Sequence, residues 1–208
     1  MRSNIEKWLR EKGEIIFKEI SIKKGYIILD FGCGSGNYTI PAAKAVGKEG
    51  KIYALDKNET DLSKLMQRAR LFGLENIEKI KTSGGLKIPL ENESVDVVLL
   101  YDVLHIYYFS QKERKKLLKE VYRVLTPDAL LSVYPKHMEL EEIKREVENA
   151  NFYFENKYFK TLIHEDSYTN DYILNFRKTD KRQNLLSTIS KIGNVKSSMK
   201  ESQGEHYK

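Results

Sequence analysis

Hydrophobic and polar residues recur along this chain with two alternating periods. From 5 to 20 the apolar residues Ile5, Trp8, Leu9, Ile15, Ile16 and Ile20 keep helical spacing, which predicts an amphipathic helix broken or bent at Gly13. Residues 26–30 predict a first strand, 38–46 a helix closed by Gly47, and 51–55 a strand ending at Asp56. Asn58 suits an N-cap for a helix over 59–72 closed by Gly73, and 77–82 predict a third strand. The continuous apolar run 95–101 is what a central parallel strand covered on both faces requires. Ser110-Gln-Lys-Glu113 has capping-box spacing and opens a helix to about Leu125. Residues 129–134 predict a fifth strand and 139–150 a helix. The aromatic-rich alternating stretches 152–160 and 168–177 read as an antiparallel pair.

Strands separated by helices predict an α/β fold: a doubly wound, mostly parallel seven-stranded sheet with helices on both faces and an antiparallel edge. One domain over 1–178 is expected, with the helix of 1–21 packing near the site. Beyond it lies a basic polar tail, 179–208, flexible or docked as a helix through Leu185, Ile189, Ile192 and Met199.

The 208 residues suffice for one sizeable core, and 40% hydrophobic with 32% charged residues is a globular composition. No apolar run approaches the roughly 20 residues of a membrane span. The first residues lack the apolar core of a signal peptide, so a cytoplasmic location is expected. A single cysteine, Cys33, excludes an internal disulfide and a cysteine-rich zinc site. The net charge of +6 suits an anionic substrate or RNA, but an ordinary lysine-rich solvated surface gives the same number. No pattern specifies an oligomeric state.

Candidate chemistry centres on Asp30-Phe-Gly-Cys-Gly-Ser-Gly36, where the first strand runs into glycines at alternating positions. Such glycines serve a tight turn and close backbone approach to a ligand. A carboxylate ahead of them is unsuited to a pyrophosphate and suits a cationic, amino-acid-like ligand. Asp56 follows at the end of the second strand, where an acid accepts hydrogen bonds from ribose hydroxyls. Asp30, Asp56, Thr82/Ser83, Tyr101/Asp102 and Pro135/His137 all follow predicted strands and should gather along one sheet edge.

Over residues 22–135 the chain resembles class I S-adenosylmethionine-dependent methyltransferases, in the small single-domain branch that includes quinone-biosynthesis-type enzymes. The resemblance rests on the glycine turn, on Ile52-Tyr-Ala-Leu-Asp-Lys57, on Ile88-Pro-Leu-Glu-Asn-Glu-Ser-Val-Asp96 and on Leu117-Leu-Lys-Glu-Val-Tyr-Arg-Val-Leu-Thr-Pro127. It implies S-adenosyl-L-methionine as cofactor and a strand order of 3-2-1-4-5-7-6 with strand 7 antiparallel. It also implies roles: Asp30 near the methionine amino group; Gly32, Gly34 and Gly36 beneath the cofactor; Cys33, Ser35 and Asn37 in the turn; Asp56 on the ribose; Lys57 beside the adenine; Tyr101 near the methionyl part. Relatives usually carry an acid after the third strand, where this chain has Ser83 and Gly84, so the adenine contact falls to Ser83 or a backbone group. Thr126-Pro-Asp-Ala129 stands where relatives commonly have a Lys-Pro-Gly-Gly turn.

Methyl transfer is an in-line displacement, so the protein mainly aligns the nucleophile, and a general base is needed only for a protonated acceptor of high pKa. The base candidates are His105, Asp102 and His137. Tyr107, Tyr108, Phe109 and Trp8 either wall a substrate or pack in the core. No dense Asp/Glu/His cluster accompanies the two histidines along the sequence, so no metal site is expected. Tyr101-Asp-Val-Leu lacks the Asp/Asn-Pro-Pro-aromatic pattern of exocyclic-amine methylation of nucleobases. Cys33, inside the glycine turn, is unavailable for cytosine C5 or arsenic methylation. A small organic acceptor is therefore the leading expectation. The alternatives are an RNA or protein methyltransferase docking through the basic tail, an NAD-dependent oxidoreductase, and a non-catalytic cofactor binder. The oxidoreductase requires Gly-x-Gly-x-x-Gly, and Asn37 occupies the sixth position.

Overall fold

The computed structural model describes residues 3–179. Its strands are β1 (Ile27–Phe31), β2 (Lys51–Asp56), β3 (Ile77–Lys81), β4 (Val95–Tyr101), β5 (Leu125–Tyr134), β6 (Phe152–His164) and β7 (Ser167–Lys178). Its α-helices are α1 (Asn4–Lys7), α2 (Gly13–Glu19), α3 (Thr39–Val46), α4 (Glu59–Leu71), α5 (Gln111–Val124) and α6 (Leu140–Glu148). The strands form one sheet of order β3-β2-β1-β4-β5-β7-β6, parallel except for β7, which pairs antiparallel with both β5 and β6. This is the topology that the resemblance implies.

The apolar run of β4 divides between the two faces. Val97, Leu99 and Tyr101 join one core cluster, with Ile40 of α3 and Leu62 and Leu65 of α4. Val95, Val98 and Leu100 join the other, with Leu117, Leu118 and Val121 of α5 and Ile143 and Val147 of α6. A strand sandwiched in this way needs no polar face, hence the absence of alternation in its sequence. The caps fall as the sequence predicts. Asn58 Oδ1 accepts from the N–H groups of Thr60 and Asp61, and Ser110 and Glu113 form a reciprocal capping box.

Three elements differ from expectation. The N-terminal helix does not break at Gly13, which has helical φ −63° and ψ −41°. Instead a π-helical segment, Trp8–Lys12, joins α1 to α2, and the Gly13 N–H bonds the Trp8 carbonyl. Gly13 is needed for packing, since a Cβ there would lie 2.5 Å from Pro41 Cγ of α3. Strand β5 starts directly at the end of α5. Val95 pairs with Leu125 and Val97 with Leu130, so the intervening segment bulges, with Asp128 at φ 57°. The β6–β7 hairpin is longer than the alternation suggests, pairing to His164 and Ser167 around a turn with Glu165 at φ 53°. The expected tail, 179–208, lies outside the described residues apart from Thr179. No described helix is long and apolar enough to cross a membrane.

Candidate functional site

The carboxyl ends of β1, β2 and β4 open into a cleft of about 430 Å³. The glycine turn forms its floor. Gly32 and Cys33 both donate their N–H groups to the Leu55 carbonyl, at 2.8 and 3.1 Å, stapling the turn to the end of β2. Gly32 and Gly36 have φ of 75° and 86°, in the left-handed region. Neither has room for a side chain: a Cβ on Gly32 would lie 2.7 Å from Val103 Cγ2, and one on Gly36 would overlap Leu65. Asp56 Oδ2 accepts from the Gly34 N–H and Oδ1 from the Asn58 N–H, each at 2.8 Å. Each oxygen keeps a further lone pair for a ligand.

Two residues brace the turn from outside. Arg68 Nη1 donates to Ser35 O, Ser35 Oγ and Asn37 Oδ1 at 2.7, 3.0 and 3.0 Å. Trp8, fully buried, donates its indole N–H to Asn37 O at 2.7 Å. Below the turn, Asp30 is buried and accepts from Thr39 Oγ1 at 2.6 Å. Burial pushes its carboxyl up to about 7, the Thr39 bond opposing and nearby Asp56 adding to the rise. Burial also pushes the Cys33 thiol far above its ordinary range, with Asp30 and Asp56 reinforcing it, so the sulfur stays protonated. Tyr38, Tyr101 and Tyr134 supply an aromatic wall, with Tyr38 edge-on to Tyr101 at 4.8 Å between centroids.

The other end of the cleft is organised by Asp102, the residue after β4. Its φ is 57°, and its N–H bonds the Tyr134 carbonyl at 3.0 Å. Three histidines from three separate segments face its carboxylate. His105 Nε2 lies 3.7 Å from Oδ1, His137 Nε2 3.6 Å from Oδ1, and His164 Nδ1 3.1 Å from Oδ2. The Oδ1 atom is buried, and no hydrogen bond reaches it among the described residues. His105 is itself buried, which lowers its pKa, with the Asp102 carboxylate opposing. Its Nδ1 accepts from the Tyr107 N–H at 3.3 Å. Buried Arg114 anchors the loop by donating to Phe109 O at 3.1 Å and to Glu146 Oε2 at 2.8 Å.

A family model described as a methyltransferase domain matches residues 22–195, most of the chain. The chain belongs to this methyltransferase-domain family. A demethylmenaquinone methyltransferase of Lactobacillus johnsonii is 32% identical over 117 residues, covering 56% of this chain and 46% of that one. A demethylmenaquinone methyltransferase of Geobacillus stearothermophilus is 31% identical over 124 residues, covering 60% and 49%. The chain thus spans about half the length of the curated relatives it matches. The solved structure of a SAM-dependent methyltransferase from Aquifex aeolicus superposes with a TM-score of 0.66 at 25% identity, covering 83% of this chain and 92% of that one.

In this methyltransferase domain the expected cofactor residues Gly32, Cys33, Gly34, Ser35, Asn37, Asp56, Lys57, Gly84 and Tyr101 all border the cleft, as does Asp102. Asp30 and Gly36 do not; they lie underneath, one shaping charge and the other letting α4 approach. Ser83 is exposed and does not border the cleft, whereas its neighbours Thr82 and Gly85 do. Asp102 is no helix cap and His105 is not on a helix, since α5 starts only at Gln111. Trp8 is core, whereas Tyr108 and Phe109 border the cleft. No dense acid–histidine cluster is visible along the sequence, but the fold assembles one in space. Ligand atoms of Asp102, His105 and His137 all lie within 4.8 Å of one another, and His164 joins from the hairpin. Sequence reading missed His164, Arg68 and Thr39. The apolar pair Leu162–Ile163, just beyond 160, is the signal that would have extended β6 to His164.

Proposed function

We propose that this chain transfers a methyl group from S-adenosyl-L-methionine to a small organic acceptor entering from the Asp102 end. The observation carrying this reading is that a single cleft joins the glycine turn and Asp56 to Asp102, Tyr108 and His164. The cofactor, when bound, supplies a methyl carbon activated by a sulfonium. Asp56 offers its remaining lone pairs to two ribose hydroxyls, and Lys57 and Gly84 flank the base. Asp30, held near neutrality by burial, ionises when a ligand ammonium arrives. The tyrosine wall and Phe109 exclude water and suit a flat or apolar acceptor. His164, on the cleft wall and 3.1 Å from the Asp102 carboxylate, stands where an acceptor proton would leave. The demethylmenaquinone methyltransferases among the relatives bear the names of small-molecule enzymes, which supports this acceptor class.

Calorimetry with S-adenosylhomocysteine and with NAD tests the donor half. Binding of the first and not the second is expected, and Asp56→Ala should weaken it roughly 5- to 150-fold, the loss of a charge-assisted pair worth about 1–3 kcal/mol. Unchanged affinity in that variant would remove the ribose assignment. Incubation of labelled cofactor with small-metabolite extract and with RNA tests the acceptor half. Label in RNA alone would overturn the small-molecule reading.

A further inference from the structure

We propose that Asp102, His105 and His137 form a binding site for a divalent transition-metal ion, with His164 as a fourth donor. The three segments that bring these residues together are unrelated in sequence: the loop after β4, the loop after β5 and the tip of β6. Their ligand atoms lie within 4.8 Å of one another, and both imidazole Nε2 atoms stand 3.6–3.7 Å from the same carboxylate oxygen. Ligands about 2.0–2.2 Å from one ion stand roughly 3–3.5 Å apart, so each imidazole–carboxylate pair closes with a shift of a few tenths of an ångström and the two imidazoles approach each other by up to about 1–2 Å. Those separations are too long for hydrogen bonds, and they leave Asp102 Oδ1 buried without a partner. A cation between the three groups satisfies that oxygen.

The donor set decides the kind of ion. Two imidazoles and a carboxylate suit zinc, iron, cobalt or nickel better than magnesium or calcium. Binding requires the His105 proton on Nδ1, so the long 3.3 Å bond from Tyr107 N–H is exchanged. Tyr107 is 73% exposed in its loop, and its ring meets those of His105 and His137 edge-on. Asp102 borders the cleft, so an ion held there is open to an acceptor. If the methyl-transfer reading holds, on which this last step alone rests, the favoured acceptor is an oxygen nucleophile able to coordinate, such as an enol or phenol.

The 208-residue chain, stripped of metal by dialysis, is titrated with Co²⁺ and then Zn²⁺, and with S-adenosylhomocysteine in parallel. Saturable binding of one Co²⁺ is expected, with ligand-field absorption, no thiolate charge-transfer band, and displacement by Zn²⁺. His137→Ala, at a partly exposed position, should weaken it at least about tenfold, whereas His206→Ala, the remaining histidine, should not. No saturable binding, equal affinity in His137→Ala, or loss only in His206→Ala would overturn the site. If the protein binds S-adenosylhomocysteine and no metal ion, the metal site alone is overturned; if it binds the metal ion and no S-adenosylhomocysteine, the methyl-transfer reading is overturned and the site stands.

Discussion

Burial of Asp30 makes its ionisation a property of the fold. Its carboxyl is raised from 3.8 to about 7, so the folded state holds a proton that the unfolded chain has already released. The contribution of this group to stability is therefore greatest below about pH 4, falls as pH rises towards 7, and is level above that. Asp30→Asn should flatten this slope, measured as Tm against pH, while weakening S-adenosylhomocysteine binding at pH 8. At Gly36, alanine meets both a φ of 86° and the side chain of Leu65, and should cost about 2 kcal/mol or more in urea unfolding. These residues were legible because strand, acid and glycines follow one another in the chain, so local chemistry announces them. The Asp102 cluster was not legible. His105, His137 and His164 each look like a lone histidine, and only strand order brings them to one carboxylate.

Element positions read well wherever a local cause ends an element, as at Asn58, Ser110 and Gly47. They read poorly where pairing decides. The early start of β5 is set by Leu125 meeting Val95, and the length of the hairpin by β7 offering partners up to Ser167. The N-terminal helix is coupled to the site by one bond, from Trp8 Nε1 to Asn37 O. Trp8→Phe keeps much of the aromatic packing against Tyr38 and removes that bond. S-adenosylhomocysteine affinity should fall by about 1 kcal/mol, roughly fivefold, with a smaller change in urea midpoint than Trp8→Ala. Equal loss of affinity and stability in both variants would assign Trp8 to packing alone.

For the whole molecule the open boundary is at the C-terminal end. The composition places the end of the domain at 178, while the family match continues to 195. Truncations after each position separate the two. If the domain ends at 178, both forms bind S-adenosylhomocysteine as the full chain does, within about twofold; loss only in the shorter one assigns 179–195 to the domain. The same pair measures the share of the +6 net charge in any salt-dependent RNA binding. The π segment at Trp8–Lys12 has a consequence at this scale too. An α-helix advances about 100° per residue, so one extra residue in a turn rotates everything before it relative to everything after. Phe17 stacks on Tyr101 of the sheet while Trp8 aims at the glycine turn, two bearings served by one helix only because of that offset. The segment works as a vernier, and deleting one residue from it would swing the indole off Asn37 while leaving Phe17 in place.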